Sequence, residues 1–214
     1  MSHSVIDTKD RGSQLNRYGP TSGRVVSTDP IRLKTKTIDT HAHILIQEAH
    51  DYIAPLYNLG DIPFVHNSSE ETLKIQKIQD EERTIALTSI EDRINVLDTQ
   101  CIDMQVLASV PNQCYYMAKG EDAAKVSRLV NDGIAKWVEE KPDRFVGLGT
   151  VPLQEMDICL SELDYIKNEL NFKGVQILTN VNGKEISDPI FDPFWEKAEK
   201  LGLVAQKEDV GQTL

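Results

Sequence analysis

Three residues near position 40 have the types and spacing for metal chemistry. Asp39, His41 and His43 alternate in Thr37-Ile38-Asp39-Thr40-His41-Ala42-His43. Every second residue of a β-strand points to one face, so a strand here aims both imidazoles the same way, with Asp39 two residues earlier. Two neutral imidazoles converging at about 2.0–2.1 Å suit Zn²⁺. A His-x-His pair alone is a weak signal. Its weight comes from its place at the C-terminal end of the first strand of a βα series, where barrel enzymes keep their chemistry. His50 and His66 fall in a polar stretch and read as solvated loop residues. Asn112 and Gln113 follow the second strand, at the functional rim, and face either the site or the packing. Tyr115, Tyr116 and Met117 either line a pocket above that strand or pack beneath an insertion. Trp137 and Trp195 lie on helical apolar stripes and read as core.

The elements that position these residues follow from periodicity. Residues 1–36 are rich in Ser, Thr, Gly and Asp without an apolar period and read as a flexible leader, with a short strand near Arg24–Ser27. A first strand begins at Thr37. Residues 47–88 form a long, polar, poorly periodic insertion with an acidic cluster at Asp80–Glu82, most simply a solvated face. Ser89 to Gln100 reads as a helix capped by Ser89, with Ile90, Ile94 and Leu97 on one face. Met104–Val110 is an apolar strand ended by Pro111. Asp122–Glu140 is a helix with apolar residues at 123, 126, 130, 134 and 137, stopped by Pro142. Strand Arg144–Val151, helix Asp157–Leu170 and strand Phe172–Thr179 follow. Asp192 as N-cap and Pro193 at the first helical position open a further helix that Gly202 ends. A fifth strand starts near Leu203. Nearly continuous apolar strands alternating with amphipathic helices specify parallel βα units covered on both faces. No Gly-rich turn follows the first strand, which argues against a dinucleotide fold and for a (β/α) barrel. A closed barrel takes roughly 250 residues; this chain has 214 and reaches only strands one to four and the start of strand five.

Composition narrows the function classes. The net charge is −11, a poor match to nucleic acid, which needs clustered cations. The leader carries seven cations against three anions, so the rest of the chain is more acidic still. Apolar runs such as Leu201–Ala205 are short, far below the ~20 residues of a membrane span, and no signal peptide is visible. Cys101, Cys114 and Cys159 have neither disulfide-framework nor zinc-knuckle spacing and read as small hydrophobes in a reducing cytoplasm.

Ile38-Asp39-Thr40-His41-Ala42-His43 resembles the first-strand motif of the amidohydrolase superfamily. Val110-Pro111 with Tyr115-Tyr116-Met117-Ala118-Lys119, then Arg144 to Gln154 (RFVGLGTVPLQ) and Gly174-Val175-Gln176-Ile177, are similar to its amidohydrolase-related group, the aminocarboxymuconate semialdehyde decarboxylase branch. The resemblance covers about residues 37–203. It implies a zinc-dependent, non-oxidative decarboxylase of 2-amino-3-carboxymuconate 6-semialdehyde, a tryptophan catabolite, and hence a small carboxylate substrate. In that branch zinc is held by the first-strand histidines, a His ending strand five and an Asp from strand eight, while a sixth-strand His handles the proton of the metal-bound water. His41 and His43 map onto the first two ligands. An insertion arginine binds substrate carboxylate in the branch, and Arg83 is its best match; Asn112 is a second candidate for substrate contact.

The resemblance ends where the branch continues into an apolar strand closing in His-Pro. Here residues 204–214 read as a divergent polar tail of a truncated or alternatively spliced product. No histidine lies beyond His66, so the later ligands and the acid–base His have no counterpart. The expectation is a chain inactive by itself, prone to homo-oligomerisation or aggregation through open sheet edges. A lactone or amide hydrolase of the same superfamily, or a non-catalytic product acting by association, are the alternatives.

Overall fold

In the computed structural model, which describes residues 33–62 and 68–208, nine of the sixteen elements among those residues build one parallel sheet and the helices on its outer face. In chain order they are β1 (Ile38–Ile44), α1 (Gln47–Ile53), a 3₁₀ turn (Leu59–Asp61), α2 (Glu70–Thr88), α3 (Ile90–Thr99), β2 (Met104–Ser109) and a 3₁₀ turn (Pro111–Cys114). Then come α4 (Gly120–Glu140), β3 (Phe145–Thr150), α5 (Met156–Asn168), β4 (Gly174–Leu178), the short β5 (Asn180–Val181) and β6 (Lys184–Glu185), a 3₁₀ turn (Pro189–Phe191), α6 (Asp192–Leu201) and β7 (Val204–Glu208). The sheet order is β1-β2-β3-β4-β7, all parallel. This is the expected partial (β/α) barrel, with β1 and β7 as its open edges.

The sheet is curled. Five strands laid flat would put the outermost two about 19 Å apart, four steps of roughly 4.8 Å. Yet Nε2 of His41 on β1 lies 3.0 Å from Oε1 of Glu208 on β7. Side chains cannot bridge a flat sheet of that width, so the two edges have turned toward each other over the inner face.

The outer face is closely packed. On α4, Ala123, Val126, Val130, Ile134 and Trp137 fall at helical spacing and are all buried. Cys159, Leu163 and Ile166 of α5 and Phe194 and Ala198 of α6 complete the layer. Glycine is required where helices come closest. A Cβ on Gly149 would lie 2.6 Å from Ile166 Cδ1 and 2.9 Å from Asn131 Oδ1. Asn131 in turn clamps the end of β3: its Oδ1 accepts from Thr150 N at 2.7 Å and its Nδ2 donates to Thr150 O at 2.9 Å. Asn131 also donates to Glu162, which takes three further bonds from Arg128. Trp137 is core, as its stripe predicts, and Trp195 packs against the core with its indole N–H donating to Ile186 O at 3.0 Å.

Several expectations change. Among its described residues the insertion contains two α-helices, and His50 belongs to α1 rather than to a loop. The longer helix, α2, is capped by Ser69, whose hydroxyl accepts from Thr72 N. It shows no apolar period because most of it faces solvent, Ile75 and Ile85 included. Asp192 is not a cap: Asp188 already caps the preceding 3₁₀ turn, and the helix continues from Phe191. Residues 204–208 are not tail but strand, paired along β4 from Gly174↔Val204 to Leu178↔Glu208. The Asn182-Gly183 pair, both at positive φ, turns the β5–β6 hairpin, which the sequence reading passed over. The leader to residue 32, with its expected strand at Arg24–Ser27, His66, and residues 209–214 lie outside the described residues. Among the described residues no helix is long and apolar enough to cross a membrane.

Candidate metal centre

β1 delivers its histidines through an irregularity. Ile38 and Asp39 pair with Met104 and Gln105, but Ala42 pairs with Leu107, so β1 holds one extra residue between Asp39 and Ala42. Such a bulge re-aims the side chains around it. Ala42 and Ile44 turn into the buried outer layer. Asp39, expected beside the histidines, instead accepts from Gln105 Nε2 at 2.7 Å on the helix-covered face, and one of its oxygens also receives His41 N–H. Gln105 is held by Arg93, which donates to its Oε1 at 2.8 Å. The carboxylate nearest in sequence therefore braces the strand and does not join the pair.

His41 and His43 do converge. Their Nε2 atoms are 3.1 Å apart and the rings meet edge to face. His43 Nδ1 lies 2.9 Å from Ser109 O, and a carbonyl only accepts, so Nδ1 carries a proton and Nε2 of the neutral ring presents its lone pair towards His41 Nε2. Burial pushes the His43 imidazole below its ordinary value, against the Ser109 carbonyl and Glu208, which pull it up. The Ser109 contact thus sets the tautomer and ring orientation that a metal requires. Arg93 fixes the same strand end by donating to His43 O at 2.6 Å.

Glu208 is the residue sequence reasoning missed. It sits at the end of β7, its side chain 11% exposed, with Oε1 3.0 Å from His41 Nε2 and 4.0 Å from His43 Nε2. Among the described residues, His41, His43 and Glu208 form a group whose donor atoms lie within 4.8 Å of one another. Four ligands around Zn²⁺ at the usual bond lengths stand about 3.3 Å apart. The three separations here bracket that value, and two imidazoles with a carboxylate are a donor set first-row divalent ions accept. The residues fit a metal ion.

Polar groups behind the pair are fixed in the same way. Gln176 Nε2 donates to Ser109 O at 3.0 Å, the carbonyl that also holds His43. Gln113 spends its amide on both backbone groups of Ile46, so it braces the chain after β1 and does not face the site. Tyr115 and Tyr116 are buried, the latter accepting from Leu178 N, whereas Met117 lines a cleft of about 500 Å³ with Tyr57, Asn58, Lys119 and Asn182. These residues all come from loops at the C-terminal ends of strands. Asn112 is half-buried in the turn after β2. Arg83 is exposed on α2, close enough to Asp80 to lower the pull of burial on that carboxyl. The structure records no contact between either residue and the histidine pair.

Similarity to known proteins agrees with this geometry. A protein of Dictyostelium discoideum named 2-amino-3-carboxymuconate-6-semialdehyde decarboxylase is 44% identical over 110 residues, 51% of this chain and 31% of that protein. A gamma-resorcylate decarboxylase of Rhizobium radiobacter is 29% identical over 126 residues, 55% of this chain and 38% of its own length. The chain therefore spans less than two-fifths of the length of these curated relatives. Among solved structures, 5-carboxyvanillate decarboxylase from Sphingomonas paucimobilis superposes with a TM-score of 0.64 at 22% identity, covering 79% of this chain and 50% of that one. The same enzyme from Novosphingobium aromaticivorans, solved with bound manganese and 3-methoxy-4-hydroxy-5-nitrobenzoic acid, gives 0.63 at 23%, covering 80% and 50%. The amidohydrolase family model matches residues 38–207. The match begins on β1 and ends within β7, so the sheet that carries the histidine pair is also what makes this chain a member of the amidohydrolase family.

Proposed function

We propose that this chain carries the first-strand metal ligands of a non-oxidative decarboxylase acting on a small unsaturated or aromatic carboxylate. The observation that carries the reading is the convergence of His41 and His43 Nε2 atoms at 3.1 Å on the C-terminal end of β1. The relatives named as decarboxylases of 2-amino-3-carboxymuconate 6-semialdehyde and of gamma-resorcylate supply the substrate class, and the semialdehyde is the first substrate to try. Zinc is the metal we favour, since imidazole and carboxylate donors suit it; manganese, bound in a relative's structure, is the next. When bound, a divalent ion supplies Lewis-acid polarisation of the substrate. This chain's own residues aim His43 and set its tautomer through Ser109 O, hold the strand end through Arg93, and leave the His41 side open to solvent, its side chain 54% exposed. Lys119 places a cation in the lining of the cleft formed with Tyr57, Asn58, Met117 and Asn182, suited to a carboxylate.

No histidine follows His66 in the 214 residues, and general acid–base groups typically contribute 10²–10⁴-fold. We therefore expect slow turnover by the chain alone. The test is decarboxylation of the semialdehyde by the metal-loaded 214-residue chain, followed by loss of its absorbance. Metal-dependent turnover abolished in His41→Ala supports the reading. Turnover that persists without metal, or in that variant, removes it.

A further inference from the structure

Glu208 is a nearly buried carboxylate in an acidic protein, and burying a charge is costly unless it is paired. Its partners are few. Among the described residues, the ion-pair contacts of its carboxylate are with His41 and His43 alone, and Gln206 Nε2 donates to the same Oε1 at 2.8 Å. Lys207, its neighbour, pairs with Ile177, a residue of the helix-covered layer, and so faces away. Neither a lysine nor an arginine is among these contacts. A cation held by all three would balance it.

We infer that Glu208 is a metal ligand, so that β1 and β7 hold one divalent first-row transition ion between two imidazole nitrogens and one carboxylate oxygen, without any later strand. The inference rests on the reading of His41 and His43 as ligands given above and adds the carboxylate. Three features support it. All three donor atoms meet on the inner face of a sheet whose curl brings its edges together. Gln206, two residues away on the same face of β7, fixes the carboxylate by its amide, as outer partners of metal ligands do. A three-ligand set leaves coordination positions open to solvent, on the side where His41 is exposed. The rival role for Glu208 is that of a hydrogen-bond acceptor that merely orients His41.

The experiment titrates the metal-stripped 214-residue chain with Co²⁺, read by visible absorption, and with Zn²⁺, read by calorimetry. One ion per chain is expected. Glu208→Gln keeps the shape and hydrogen bonding but removes the charge; it should weaken binding at least about a hundredfold, beyond the roughly tenfold to hundredfold range of outer partners. Glu208→His should restore tight binding with a shifted cobalt spectrum, because nitrogen replaces oxygen. Lys207→Gln, on the opposite face of the strand, controls for damage to β7 and should bind as wild type. Circular dichroism establishes that each variant is folded, and Glu208→His keeps the idea testable if Glu208→Gln is not. Wild-type binding by Glu208→Gln, an unshifted cobalt spectrum in Glu208→His, or no ion bound by the wild type would each overturn the inference. Failure of the proposed function looks different: one ion per chain, lost in Glu208→Gln, with no decarboxylation.

Discussion

The two faces of the sheet carry opposite characters. The outer face holds Phe145, Ile44, Val175 and Ile177 beneath helices whose apolar residues are almost all buried, and its polar side chains, Asn131 and Glu162, are bonded to each other and, through Asn131, to the Thr150 backbone. The inner face, towards its edges, holds imidazoles, a carboxylate, the Gln206 amide and the 65%-exposed Val204. Strand alternation lets one sequence serve both: β7 pairs Gln206 and Glu208 with inward neighbours and Ala205 and Lys207 with outward ones. Stability therefore resides on one face and chemistry on the other, and substitutions should separate them.

The largest effect should come from the outer face. Phe194→Ala, emptying a fully buried site on α6, should cost about 3–5 kcal/mol in chemical denaturation while leaving metal affinity of the folded fraction unchanged. Gly174→Ala crosses the comparison, because its new Cβ would collide with the Val204 backbone carbonyl. We expect a loss of about 3 kcal/mol, the upper end for overpacking, together with weaker metal binding, as β7 carries Glu208. A stable Gly174→Ala chain with full metal affinity would show that β7 docks less tightly than its pairing indicates. On the inner face, His41→Ala and His43→Ala should shift metal-free stability by under about 1 kcal/mol. The stabilisation by metal, about 2.7 kcal/mol at a hundred times Kd, should vanish in both; a thermal melt with and without Zn²⁺ checks this. Val204→Lys replaces an exposed apolar side chain on the open edge by a charge. If the chain self-associates through that edge, sedimentation should become less concentration-dependent in the variant. The smallest effect is kinetic. Burial pushes the Cys114 thiol up to about 11 and the Cys159 thiol up to about 12, so both stay protonated and covered near neutrality. The half-buried Cys101 should be labelled first by a thiol reagent.

Legibility in the sequence followed burial. Strands β2, β3 and β4, covered on both faces, show as apolar runs whose ends shift by only a residue or two, and α4 shows as a period because one stripe is buried. Where burial stops, the signal stops. Helix α2 is exposed, so only its Ser69 cap and the acidic first turn of Glu70 and Glu71 mark it. β7 has a polar inward face because Gln206 and Glu208 belong to the site, and its sequence therefore resembles a tail. The histidine pair was legible from spacing. Its third neighbour was not, since Glu208 is distant in sequence and only the curl of the sheet brings it near. The fate of Asp39 was hidden by a bulge that no residue type announces. Asn182-Gly183, by contrast, is a strong hairpin signal that was available.

Arg93 ties together both ends of the excursion that separates β1 from α3. It donates to His43 O before the excursion and to Ala86 O near its end, each at 2.6 Å, and Leu45 N adds a bond to Leu87 O at 3.0 Å. With the stem closed this firmly, what lies between is thermodynamically a loop, and loop-closure entropy grows only as the logarithm of length, about 0.6 kcal/mol per doubling. The segment between Ile53 and Ala86 should therefore tolerate insertion, deletion or exchange at little cost to the sheet. Natural lineages, or an engineer, could rewrite this excursion while the stem keeps the histidine strand in place.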